Sequence, residues 1–135
     1  MNGDELLVHG RNILRGQPFS EHLGTKLDAF TPGHAELSLA VTPVLLQHQG
    51  TVHGGVLSYL ADNALAFAGG SLFGDAVTVE MKINFLKPAR GERLRVVADV
   101  VGSGDAQAVC RCDVFCDDVL CAAAQGTIRR PPEKR

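Results

Sequence analysis

The run HGGVLSYLADNALAFAGG, from His53 to Gly70, decides how the rest of the chain is arranged. After the paired glycines Gly54 and Gly55 it is apolar nearly all round, free of proline, and about four turns long as a helix. A helix that is apolar on every side has to be surrounded. Gly69-Gly70 reads as its end.

The flanks supply the cover, because their period is two. His34 to Val41 alternates Ala35, Leu37, Leu39 and Val41 on one face against His34, Glu36 and Ser38 on the other. Pro32-Gly33 is a turn before it, so residues 22–41 read as a hairpin. Downstream, Val77, Val79, Met81, Ile83 and Phe85 alternate with Thr78, Glu80, Lys82 and Asn84. Leu94, Val96, Ala98 and Val100 do the same, and turns at 102–105 and Asp117-Asp118 set off 106–116 and 119–128. Residues 4–15 form a short amphipathic helix that Gly10 weakens, and Gln17-Pro18-Phe19 breaks it. Residues 42–52 carry no clean period and read as a loop. The predicted order is helix, hairpin, long buried helix, then a four-strand antiparallel meander. The class is α+β, one antiparallel sheet wrapped around a long central helix. The sheet leaves edges and a face to cover, which predicts a second subunit against it.

Length and composition agree. The chain has 135 residues, 45% of them hydrophobic and 21% charged, which suits a single domain over 1–135. Residues 1–18 are a helix and lead-in, and 129–135 are expected to fray. A net charge of −2, no tryptophan and only 5% aromatics argue against nucleic acid as the partner. No apolar stretch approaches the ~20 residues that cross a bilayer, and no signal-peptide pattern opens the chain. The four cysteines, at 110, 112, 116 and 121, lack paired zinc spacing and read as small buried hydrophobes in a reducing compartment. A cytoplasmic protein without membrane partners is expected.

Chemistry can sit in three places. Whether Thr51 or Val52 caps the central helix, the Gly54 amide falls among the first four N–H groups, which lack an intrahelical acceptor. Those amides suit a carbonyl oxygen or a developing oxyanion; the same glycines would also serve tight packing. Asp62 is a carboxylate inside an apolar helix, so it needs a partner or a task. It belongs to a polar stripe with Ser58, Tyr59 and Asn63, which fits solvent or a subunit boundary on one reading and a general base or nucleophile on the other. Gln47 can donate and accept, as can its neighbours His48 and Gln49. His53 fits a role fixing the loop, and none of the histidines is spaced for a metal.

The run from Gln47 to Asn63 resembles the central-helix motif of hotdog-fold acyl-CoA thioesterases of the phenylacetate-pathway, PaaI-like type. The run from Val77 to Leu94 is similar to that family's next strand and turn, so the likeness covers roughly residues 20–128. It implies that the Gly54 amide polarises a thioester carbonyl and that His53 shapes the helix entry. It implies Asp62 as base for water or as nucleophile, Gln47 as holder of the carbonyl or water, and Thr78 as a hydroxyl that places the water. It also implies a homo-oligomer, a dimer or dimer of dimers, with Gln47, His53 and Gly54 from one chain and Asp62 and Thr78 from the other. Gly55 lies beside the substrate, and Lys82, Lys87, Arg90 and Arg93 are candidates for the phosphates of coenzyme A. No metal is implied, and no cofactor beyond coenzyme A as part of the substrate. Two alternatives stand beside acyl-CoA hydrolysis: a non-catalytic acyl-CoA-binding hotdog, which would not need Asp62, and a hydratase or dehydratase, which the Gly-Gly helix start disfavours.

Overall fold

A computed structural model describes residues 1–133. The elements are α1 (Gly3–Arg15), α2 (Pro18–Leu23), β1 (Lys26–Thr31), β2 (His34–Ala40), a 3-10 turn (Pro43–Leu45), α3 (Gly54–Gly70), β3 (Val77–Phe85), β4 (Arg93–Ser103), β5 (Gln107–Cys116) and β6 (Val119–Arg129). One six-stranded antiparallel sheet in the order β1-β2-β4-β5-β6-β3 curls around α3, which packs on every strand. Leu57, Leu60, Ala61, Ala64, Leu65 and Ala68 are all buried against it. Each of those leucines contributes roughly 1.5–3 kcal/mol by leaving water. The alanines between them let the strands approach closely, and the Cys112 thiol lies 4.0 Å from the Ala61 carbonyl. The cysteine expectation holds: all four are buried and free.

Three expectations are corrected. Only β4, β5 and β6 form a meander; β3 pairs with β6 and becomes an edge strand. Alternation encodes which face is buried, not which neighbour a strand takes. The connection 86–92 makes the crossing, with Leu86 and Lys87 N–H groups donating to Cys121 O and Val41 N–H donating to Glu92 O.

The hairpin occupies 26–40 rather than 22–41, because Pro18 starts a second helix instead of merely ending the first. Gly69-Gly70 ends α3 as expected. Gly69 has a second role: an added Cβ would stand 2.7 Å from the Ile128 Cβ, so it is also a point of close approach to the sheet. Gly10 is likewise a packing residue, since a Cβ there would stand 2.5 Å from the Phe30 ring.

The third correction bears on function. The register of β3 against β6 slips between Thr78 and Glu80, which leaves Val79 as a bulge residue. Val77 and Val79 are therefore exposed, at 44% and 55%. Thr78 shares the helix-facing side with Met81 and Ile83, which pack on the core. At the chain end, β6 closes at Arg129; the last two residues of the expected frayed tail lie outside the described residues.

Candidate active site

The start of α3 is capped by His53, not by Thr51 or Val52. His53 is extended (φ −59°, ψ 135°) and its Nδ1 accepts the Gly55 N–H at 2.8 Å, so the ring proton sits on Nε2. Thr51 and Val52 are instead buried in the entry loop. Backbone bonds from His53 to Leu45, Val52 to Ala89 and Gln47 to Thr51 pin that loop. Gly55 is held by the cap, whereas the Gly54 N–H has no acceptor among the described residues. It lies next to the Phe85 ring, 3.4 Å from where a Gly54 Cβ would be. A donor of this kind at the positive end of a 17-residue helix is suited to a carbonyl oxygen.

Asp62 lies two turns along. Its Oδ1 accepts the Thr78 hydroxyl at 2.7 Å, a contact that exists because the Val79 bulge turns Thr78 inward. Among the described residues, its other oxygen has no donor. Asp62 and Thr78 open on a cavity of about 240 Å³ that Phe19, Tyr59, Asn63 and Ala76 also line. The polar stripe of α3 therefore divides. Ser58 turns back to the Gly54 carbonyl at 3.0 Å. Tyr59 Oη bonds the hydroxyls of Ser20 at 2.6 Å and Thr25 at 2.7 Å, and the Asn63 amide donates to Gln17 Oε1 at 3.1 Å. These bonds, with the edge-to-face contact of Phe19 on Tyr59 at 5.0 Å, fasten α2 beside Asp62. Sequence reading missed the contribution of α2; the spacing of Tyr59 and Asn63, one turn apart, was the available signal.

The remaining candidates scatter. Gln47 is engaged within its own loop, its Nε2 donating to Thr51 Oγ1 and its Oε1 accepting the Gln49 N–H. His48 and Gln49 are exposed. Lys87 and Arg90 are exposed on the 86–92 connection, whose Ala89 carbonyl accepts from Val52 just before the capped helix start. Lys82 is paired across from Gln125, on the sheet face opposite Thr78. Arg93 stands 3.7 Å from Asp28. At about 1.5 Å per residue, Gly54 and Asp62 are separated by ~12 Å along one helix. The structure brings together Asp62 with Thr78, and His53 with Gly54, as two separate groups.

Residues 49–123 match the family model of the thioesterase superfamily. The medium/long-chain acyl-CoA thioesterase YigI of Escherichia coli is 24% identical over 137 residues, covering 88% of each chain. Two solved structures share the fold. The PaaI protein of the Escherichia coli phenylacetic acid degradation operon superposes with a TM-score of 0.90 over 99% of both chains at 24% identity. A single-site mutant of the phenylacetic acid degradation protein PaaI of Thermus thermophilus gives 0.80 at 33% identity, over 85% of this chain and 100% of the other. The motif around the capped helix start falls inside the matched segment, and the sheet wraps its helix as PaaI does: this chain belongs to the thioesterase superfamily and is a hotdog thioester hydrolase of the PaaI-like type.

Proposed function

We propose that the protein hydrolyses acyl-CoA thioesters to free acid and coenzyme A in a site completed by a second copy of the chain. The observation that carries this reading is the ~12 Å along α3 between Gly54, with its free N–H, and Asp62, with its free oxygen, too far for both to serve one carbonyl within one chain. Edge strand β3 supports the pairing. Its Thr78 end lies by Asp62 and its Phe85 end by Gly54. A two-fold copy docked along that edge runs the other way, so it brings its Asp62 end to the first copy's Gly54 end.

In this scheme the Gly54 N–H holds the thioester oxygen. Asp62, oriented by Thr78, takes a proton from water while the water oxygen bonds to the carbonyl carbon. Collapse of the tetrahedral intermediate breaks the C–S bond, and the proton passes to the departing sulfur. The oxyanion donor contributes about 10²–10³ in rate and the base about 10²–10⁴. His53 and Gln47 shape the entry loop. Lys87 and Arg90, on the connection bonded to that loop, supply cations for the coenzyme A phosphates, with Gly55 in its capped position beside the substrate.

The test is release of free thiol from a panel of acyl-CoAs. Asp62→Asn keeps side-chain size and removes the charge, so kcat should fall by ~10² or more with the fold intact. Mixed refolding tests the shared site. Asp62→Ala and Gln47→Ala, each weak alone, should together recover roughly a quarter of wild-type activity, since half of randomly reassorted dimers carry one intact site of two. Mixed activity no greater than the average of the two variants means that both residues act within one chain.

A further inference from the structure

Beside the Asp62 cavity lies a larger one of about 380 Å³, between α1, α3 and the turn that follows α3. Gln17, Asn63, Ala66 and Ala76 line both, so the two spaces adjoin. Leu6 and Ile13 of α1 form the roof, and Phe30 and Phe67, edge to face at 5.4 Å, form the floor. Gly70 and Gly74 line the far end with Ser71 and Asp75, and His9 adds a polar group on the α1 side. Ile13 is 41% exposed although it lines this space, so part of the apolar lining has no partner within the chain. Gly10, one turn from Leu6 and Ile13, holds α1 down on Phe30 and thereby sets the height of the roof.

We propose that this cavity receives the acyl tail of the substrate and selects a linear, saturated chain of medium length. The inference rests on the hydrolysis reading above for the direction of entry. With the thioester carbonyl at Asp62, coenzyme A leads out to solvent, and the two adjoining cavities extend from Asp62 past Ala66 toward Gly70. That wall is eight helical residues, ~12 Å, and an extended chain advances roughly 1.2 Å per bond, so about eight to ten carbons fill it. The α1 helix then acts as the measure of chain length.

The experiment is kcat/KM by thiol release for straight-chain acyl-CoAs from acetyl to hexadecanoyl. It is accompanied by calorimetric titration of decanoate, the free acid, which needs no turnover. For wild type, kcat/KM should climb by roughly a factor of four per buried methylene and level off near eight to ten carbons. Ile13→Asp places a carboxylate on the roof, at a partly exposed position the helix tolerates. It should lower the octanoyl-to-acetyl ratio of kcat/KM at least ten-fold and weaken decanoate binding to match. Ile13→Trp fills the space and should move the optimum to shorter chains. Equal kcat/KM across the series, an unchanged ratio in both variants, or preference for an aryl acyl group over a linear one of equal carbon number overturns the pocket while leaving hydrolysis standing. If no acyl-CoA is hydrolysed, the hydrolysis reading fails by itself. Decanoate binding that Ile13→Asp removes then still supports the pocket, and no binding to wild type overturns it.

Discussion

Gly54→Pro removes one hydrogen atom's worth of chemistry and little else. Gly54 is the first residue of α3, where proline is favoured because the N–H has no intrahelical acceptor and the ring fixes φ near the helical value. The residue before a proline must be extended, and His53 already is, at φ −59° and ψ 135°. The new Cβ meets the exposed Phe85 ring at 3.4 Å, an ordinary contact. Stability should therefore hold or rise by about 0.4–1 kcal/mol. Activity should not hold. Losing an oxyanion donor lowers kcat by about 10²–10³. Gly54→Ala is the control, since it adds the same Cβ and keeps the N–H; it should stay within a few-fold of wild type. Gly55→Pro is the contrast. It deletes the donor bonded to His53 and sets its Cβ 2.9 Å from Nδ1. Loss of the cap alone costs ~1 kcal/mol, so this variant should melt lower. The measurements are thiol release and thermal unfolding on all three. If Gly54→Pro folds and turns over within a few-fold of Gly54→Ala, the amide does not polarise the thioester.

Thr78→Ala should lower kcat by about ten-fold with KM little changed, since it frees the Asp62 carboxylate to rotate, and Thr78→Ser should restore the rate; equal losses in both variants would show that the methyl group, not the hydroxyl, matters. His34 donates through both ring nitrogens, to Glu36 at 2.8 Å and Asp99 at 2.7 Å, and these hydrogen bonds, Glu36's first, hold its pKa above 6.5. The stabilisation from this pair of contacts is complete below about 6.5 and is lost as pH rises through the raised value, so wild type should lose more melting temperature than His34→Gln between pH 6 and 8.5, a small difference given the solvent around Asp99. Burial raises the thiols of Cys110 and Cys116 to about 11 and Cys112 to about 12. Iodoacetamide at pH 8 should therefore leave native activity intact and label these residues only as the protein unfolds; rapid inactivation with substrate protection would contradict their role as core filler.

The central helix and the strand alternation were legible in the sequence because each reports how a side chain meets the core. Ala35, Leu37 and Leu39, or Cys110, Cys112 and Cys116, are all buried as their spacing requires. Strand neighbours were not legible, since β3 is equally well patterned beside β4 or β6, and the choice is made by the 86–92 connection. The packing role of two glycines was hidden for a related reason. Gly10 and Gly69 are small because Phe30 and Ile128 come close in space, from partners distant in sequence. Of the site, Asp62 and Gly54 stood out as a carboxylate and a free amide in the wrong company, whereas Tyr59 and Asn63 read only as members of the Asp62 stripe and nothing marked α2 as their partner.

The bulge at Val79 shows how tightly register and chemistry are coupled here. Strand side chains alternate, so in an unbroken β3 the residues facing α3 with Met81 and Ile83 would be Val79 and Val77, and Thr78 would face away. Asp62 would then meet a valine, a carboxylate with neither donor nor orientation. One extra residue lets the apolar half of the strand keep its place on the core while the half beside Asp62 turns over. Its cost falls on Val77 and Val79, left exposed at the free edge of the sheet. An exposed, apolar edge is a liability in a lone chain and an asset in one that pairs. The distortion that gives Asp62 its hydroxyl thus also leaves apolar surface along the edge where a second copy would bring the missing Gly54 donor.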